Sequence, residues 1–257
     1  MRDSFHQALV RARHSGGDIQ CAGEQYLLLS LLGVGEISKV YLAQRIAAMP
    51  YLATIKISSA PGAASRYARE AEVLQELHAI SSLLPEVFAH GPVDGDSSRH
   101  TLVLAHPNGY WGSLADLNEH FPNGIDPRHA VWIWRRMLDI LRFVHAQGWS
   151  HRDVRPEHAL VHPEDHAVRL ISWGSAQKNT DNAAADLLRC ARTVLVLLSG
   201  SAGSLPSAVP PALAKLLTRA SQDEAFCRTQ GAQGLDDMLR AAALEAFGPP
   251  SFVPLII

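Results

Sequence analysis

A chain of 257 residues that is 47% hydrophobic has enough apolar side chains for one large core or two smaller ones sharing an interface, since domains run from about 50 to 250 residues. Its 23 basic and 25 acidic side chains leave a net charge of −2 with no basic block, which excludes the electrostatic footprint of a nucleic-acid or anionic-membrane binder. Cys21, Cys190 and Cys227 are far apart and lack metal-ligand spacing, so they read as free thiols of a reducing compartment and not as disulfides or zinc ligands.

Residues 1–24 are polar and glycine-interrupted, the composition of a short helix and a lead-in strand. They carry charges throughout "MRDSFHQALVRARH" with no continuous apolar stretch, and the longest apolar run elsewhere, "TVLVLL", is too short to span a bilayer; the expected location is cytoplasmic. "YLLLSLLGVGEISKVYLAQ" reads as strand, glycine turn and strand, and "YLATIKIS" as a third strand. "SRYAREAEVLQELHAI" sets Ala71, Leu74, Leu77 and Ile80 on one face of a helix. "EVFAHGPVD" and "RHTLVLAH" form a hairpin around "GDSS".

From about residue 112 the pattern turns helical. "DPRHAVWIWRRMLDILRFVHAQG" opens on an Asp–Pro start signal, spaces Val131, Trp134, Leu138, Leu141 and Val144 along one face, and stops at Gly148. Two short strands, "HALVH" and "AVRLIS", flank the turn "PEDH". "AAADLLRCARTVLVLLSG" is a more buried helix ended by Gly200, and "LPSAVPPALAKLLTRASQ" and "GLDDMLRAAALEAF" supply two more. No internal repeat is present.

Several residues carry chemistry on their own terms. Gly33 and Gly35 let backbone amides approach phosphate oxygens without a Cβ in the way. Lys56 lies in an apolar strand of a chain whose other lysines are only Lys39, Lys178 and Lys215, and a lysine there is costly unless paired or bound to an anion. Glu70 follows in the middle of the amphipathic helix, with Glu72 as its competitor. His158, His162 and His166 recur every fourth residue; on a helix they would share a face, but this segment reads as strand and turn, which makes them hairpin histidines of the surface.

The order of elements, together with "LGVGEISKVYLA", "ATIK", "HRDVRPEH" and "LISWGSA", resembles the protein-kinase family over about residues 25–245. The resemblance implies an α+β, bilobal fold: a lead-in over 1–24, a β-rich N-lobe with one αC-type helix over 25–105, and a helical C-lobe over 106–257 with a short activation segment. It assigns Gly33, Gly35, Val40, Lys56, Glu70, Leu104, Ala105, His106 and Leu160 to nucleotide binding, with Ser38 in the third glycine place, Lys56 and Glu70 as an ion pair, and the linker Ala105 to Pro107 hydrogen-bonding adenine through its backbone. Asp153 takes the place of the catalytic base and Arg155 that of the residue steadying the γ-phosphate, while Asp186 matches the aspartate bracing the catalytic loop.

Two departures stand at the metal. His158 replaces the asparagine and Ser172 the aspartate that hold magnesium in the family, and magnesium prefers hard oxygen ligands over imidazole. Metal polarisation is worth several kcal/mol, with each 1.36 kcal/mol about a factor of ten in rate. The resemblance therefore implies a bacterial, cytoplasmic pseudokinase or weakened kinase that takes ATP or ADP between its lobes, with magnesium in doubt, and acts through a protein partner or substrate, not nucleic acid or membrane. An active atypical Ser/Thr kinase using Asp153 is one alternative. A small-molecule phosphotransferase of the aminoglycoside or choline kinase type, favoured by Trp173 and the short segment after Gly174, is the other.

Overall fold

The computed structural model describes residues 17–257, and the chain divides after Asn108 into two compact units. The short helix read near the start of the lead-in lies outside the described residues.

The first unit is a closed barrel of six antiparallel strands in the order β1-β2-β3-β4-β6-β5, with β1 Asp18–Cys21, β2 Glu24–Val34, β3 Lys39–Arg45, β4 Leu52–Ser58, β5 Val87–Val93 and β6 Asp96–Ala105. Inward residues of alternating sequence fill it: Cys21, Ala43, Ala53, Ile55 and Val103 are fully buried. The strand expected in the lead-in is β1, and it joins the five read from residue 25 onward: it pairs along β2 and meets β5 at Cys21↔Val93, which removes the free edge a five-stranded sheet would expose. Cys21 Sγ lies 2.7 Å from Thr101 Oγ1, inside this closure.

Helix α1, Ala63–His78, covers the barrel with Ala71, Leu74 and Leu77 buried. Ile80, expected on the same face, lies beyond the end of the helix and is 58% exposed, because the chain leaves helical geometry before the next turn of the stripe.

The second unit contains α2 Leu114–His120, α3 Pro127–Ala146, α4 Ala183–Ser199, α5 Pro211–Gln222 and α6 Glu224–Phe247, with a small sheet β7-β8-β9 formed by Gly112–Ser113, Ala159–His162 and Ala167–Leu170. Asp126 caps α3 by accepting from the Arg128 amide, with Pro127 in the first turn. Ile133, Trp134, Met137, Leu138 and Leu141 form its buried face, while Val131 is only half-buried. Two features escaped the periodicity reading. Helix α2 is started by a reciprocal Ser113–Asp116 capping box, a signal legible in "SLAD". Helix α6 begins at Glu224, ahead of the expected "GLDDML", and is interrupted at Gly231, whose φ of 63° and ψ of 179° break the helical run.

Among the described residues no helix is long and apolar enough to cross a membrane. All three cysteines are free and buried.

Candidate functional site

In the barrel unit Lys56 sits opposite Val40 on β3 and Leu102 on β6, so a charged side chain occupies the middle of a sheet at 8% exposure. It is compensated from α1: Lys56 Nζ donates to Glu70 Oε1 at 2.7 Å and Oε2 at 2.9 Å, and Glu70 is itself 3% exposed. Glu72 is not part of this pair; it is exposed and bonds Arg69 at 2.7 Å.

The turn after β2 has no conformational need for its glycines. A Cβ at Gly33 would meet nothing and one at Gly35 only Ser38 O, at 3.7 Å, so neither backbone nor barrel packing demands glycine there. The turn is fastened to the end of β4, where Ser58 Oγ donates to Ile37 O, and to α1 through Glu36 and Arg66 at 3.4 Å. Val40 is half-buried and Leu104 buried.

The linker amides are engaged within the barrel unit. The Ala105 amide donates to Glu86 O at 2.9 Å, the His106 amide to Leu52 O at 3.3 Å, and Pro107 has no N–H. Residues 105–107 therefore have no backbone N–H left for a base. His106 Nδ1 lies 3.0 Å from Thr54 Oγ1, and burial holds this imidazole below its ordinary pKa.

In the helical unit "HRDVRPEH" is held from below by Asp186 on α4. This carboxylate is fully buried and accepts from the His151 amide at 2.7 Å, the Arg152 amide at 2.7 Å and His145 Nε2 at 3.2 Å. Three N–H donors balance the cost of burying its charge. His151, also fully buried, donates from Nε2 to Ile171 O at 3.1 Å and accepts at Nδ1 from the Asp153 amide at 3.2 Å, a neutral tautomer. Burial accordingly pushes its pKa down to about 4, against the opposing pull of Asp186. Trp173 closes the underside: fully buried, it meets the His151 ring edge-on with centroids 4.3 Å apart and donates to Leu170 O.

His158 spends both ring nitrogens inside the loop. Nδ1 lies 2.9 Å from Asp153 O and 3.3 Å from Asp153 Oδ2, while Nε2 lies 3.3 Å from Arg155 Nε and 3.2 Å from Arg155 Nη2. A guanidinium only donates, so Nε2 carries the lone pair and the proton sits on Nδ1, directed at Asp153. Arg155 also stands 3.7 Å from Asp153 Oδ1 and 3.8 Å from Glu157 Oε2. The second metal position, Ser172, has φ 67°, a left-handed conformation that Asp and Asn adopt more readily than Ser. Among the described residues no three His, Cys, Asp or Glu side chains converge; His158 offers an imidazole and Ser172 a hydroxyl, where magnesium prefers carboxylate and other hard oxygen ligands. Leu160 lies half-buried on β8, opposite Arg169.

The hairpin histidines are not plain surface residues. His162 lies edge-on to Tyr110 at 5.4 Å and accepts from the Asp165 amide, and His166 stacks between Trp132 and Phe252, each 4.3 Å away. Strand and turn geometry sends the three rings to different partners. The connection from Gly174 to α4 is short and runs along the start of the catalytic loop, with Ser150 and Gln177 exchanging backbone hydrogen bonds of 2.9 and 3.0 Å. Sequence reasoning found Asp186 but missed His145, 41 residues away, as its partner, and Arg155 as that of His158, a contact made across the turn begun by Pro156.

The family model of the protein kinase domain matches residues 26–193. Serine/threonine-protein kinase F of Synechocystis sp. is 28% identical over 178 residues, 61% of this chain and 34% of that protein. Serine/threonine-protein kinase PknE of Mycobacterium tuberculosis is 33% identical over 164 residues, 61% of this chain and 27% of that one. The chain thus spans about a third or less of these two relatives. A crystal structure of the kinase domain of Mycobacterium tuberculosis PknI, a double mutant, aligns with TM-score 0.66 at 23% identity, covering 88% of this chain and 98% of that one, a likeness that carries the fold. With a match running unbroken from β2 into α4, well over half of its length, the chain belongs to the protein kinase family.

Proposed function

We propose that this protein is a kinase domain that has given up magnesium-dependent phosphoryl transfer and works by binding: it takes ATP or ADP on Lys56 with little help from a metal and acts through a protein partner in the cytoplasm. Protein kinases as a class use ATP and act on proteins. The observation that carries the departure is His158, which stands where a magnesium ligand is needed and has both nitrogens committed, one to Asp153 and one to Arg155. Ser172 at the other ligand place brings no carboxylate. Lys56, with Glu70 beside it, is a cation that needs no metal to attract phosphates.

The test is the melting temperature of the protein with ATP, ADP and GTP, with and without magnesium or manganese. A nucleotide-induced rise independent of metal is expected. A rise that appears only with magnesium would overturn the reading.

A second reading, an active atypical Ser/Thr kinase with Asp153 as base, is favoured by the formed Lys56–Glu70 pair and by the Asp186 brace under the catalytic loop. A robust phosphotransfer rate in the unmodified protein, abolished by Asp153→Asn, would establish it.

A further inference from the structure

The helical unit contains a cavity of about 700 Å³ where the C-terminal end of α3, the short connection into α4 and the interrupted part of α6 come together. Its lining includes neither Lys56 nor any residue of His151–His158. Its volume falls in the range of small-molecule sites, roughly 300–1,000 Å³. Its charged lining is Arg142, His145 and Arg228 against one acid, Asp181, with Thr180 and Gln230 as further polar groups.

The arginines are not exhausted by their neighbours. Arg142 gives one N–H to Gln233 Oε1 and one to Asp139 Oδ1, and Arg228 gives one to Glu224 Oε1 at 2.8 Å, whereas a guanidinium has five donors in a fork that suits carboxylate and phosphate. His145 links the cavity to the catalytic loop. Its Nε2–H goes to Asp186 Oδ2, the oxygen that also accepts from the His151 amide, while Oδ1 accepts from Arg152. His145, in the lining, is therefore two hydrogen bonds away from the backbone of the HRD turn.

We propose that this cavity binds a small anionic ligand, a phosphate or carboxylate compound held by Arg142 and Arg228, and that its occupancy firms the catalytic loop through His145 and Asp186. The probes are inorganic phosphate and citrate, titrated into the full chain by calorimetry at constant ionic strength made up with chloride. Saturable binding of one of them is expected, and which one binds separates a phosphorylated ligand from a carboxylate one. Affinity should fall by about tenfold or more in Arg142→Gln/Arg228→Gln, as loss of charge-assisted bonds requires. Gln230→Trp, which leaves both arginines in place and fills the cavity, should block binding and decides the matter if the first variant fails to fold. Binding should persist in Lys56→Met/Glu70→Leu, which separates this site from the nucleotide site. Hydrogen exchange at the His151 and Arg152 amides should slow on saturation. A response no different from chloride, survival of binding in Gln230→Trp, its loss with Lys56, or unchanged exchange at those two amides would each overturn the proposal.

Discussion

At His158 one imidazole stands in the place that the kinase resemblance gives to a magnesium ligand and also contacts Asp153, the residue proposed as base. Asparagine at that place would release Arg155 and Asp153 from the imidazole, and aspartate at Ser172 suits the left-handed backbone already present there. The double change Ser172→Asp/His158→Asn is expected to raise magnesium-dependent ATP hydrolysis or autophosphorylation well above the parent, with much smaller gains in either single variant, because the two ligands act on the same ions. A double variant no better than its parent would place the defect elsewhere, with the spent linker amides the first suspect. Asp186 gives a complementary prediction. Asp186→Ala strands the buried His151 amide and the part-buried Arg152 amide and should cost about 3–5 kcal/mol in urea unfolding, the scale for losing one partner of a buried charged network; a loss under about 1 kcal/mol would show that the loop is held by other means.

Strand β4 and helix α1 are joined by the buried Lys56–Glu70 pair. From the sequence, Lys56→Met is a change that abolishes nucleotide binding and spares the fold. Burial alters that expectation, since the methionine leaves the Glu70 carboxyl at 3% exposure with no counter-charge. Lys56→Met should therefore destabilise by about 3–5 kcal/mol, and adding Glu70→Leu should recover most of the loss, as replacing a buried ion pair by apolar groups is often close to neutral. Equal midpoints of urea unfolding for the single and double variants would contradict this. In the helical unit, the end of α4 meets the loop after α2 through two glycines. A Cβ at Gly200 would lie 2.3 Å from Pro122 O and one at Gly124 2.2 Å from Leu198 O, both at positive φ. Gly200→Ala is expected to lower the melting temperature at a cost of about 1–3 kcal/mol or more, the contact adding to the backbone strain.

Across the whole molecule, burial keeps several imidazoles neutral. His151, His106, His129 and His166 all have pKa values lowered chiefly by desolvation. In the unfolded chain they protonate near the ordinary value of about 6.5, so between that pH and the folded values the unfolded state binds more protons and stability rises with pH. Stability should be fully present above about pH 6.5 and decline as pH falls toward 4. His151, with a folded value of about 4, contributes about 3 kcal/mol of that loss at 1.36 kcal/mol per unit. Urea unfolding at pH 7, 6 and 5 checks the sign, and a protein more stable at pH 5 than at pH 7 would refute it.

What the sequence by itself determined was local. The lysine in an apolar strand, the Asp126–Pro127 helix start and the stop at Gly200 follow from φ preferences, capping and periodicity within one or two turns of chain. The family motifs also lie in short runs, and the departures from them at 158 and 172 could be read directly. The tertiary structure decided what depends on partners brought together from afar: closure of the barrel at Cys21↔Val93, the choice of Glu70 over Glu72, the loss of linker amides to Glu86 and Leu52, and the bond from His145 to Asp186. Even the His158 tautomer required the turn that brings Arg155 back onto it. Propensity describes one residue and its neighbours in the chain, whereas a buried charge or amide is satisfied by whichever group packing places within 3 Å or so of it.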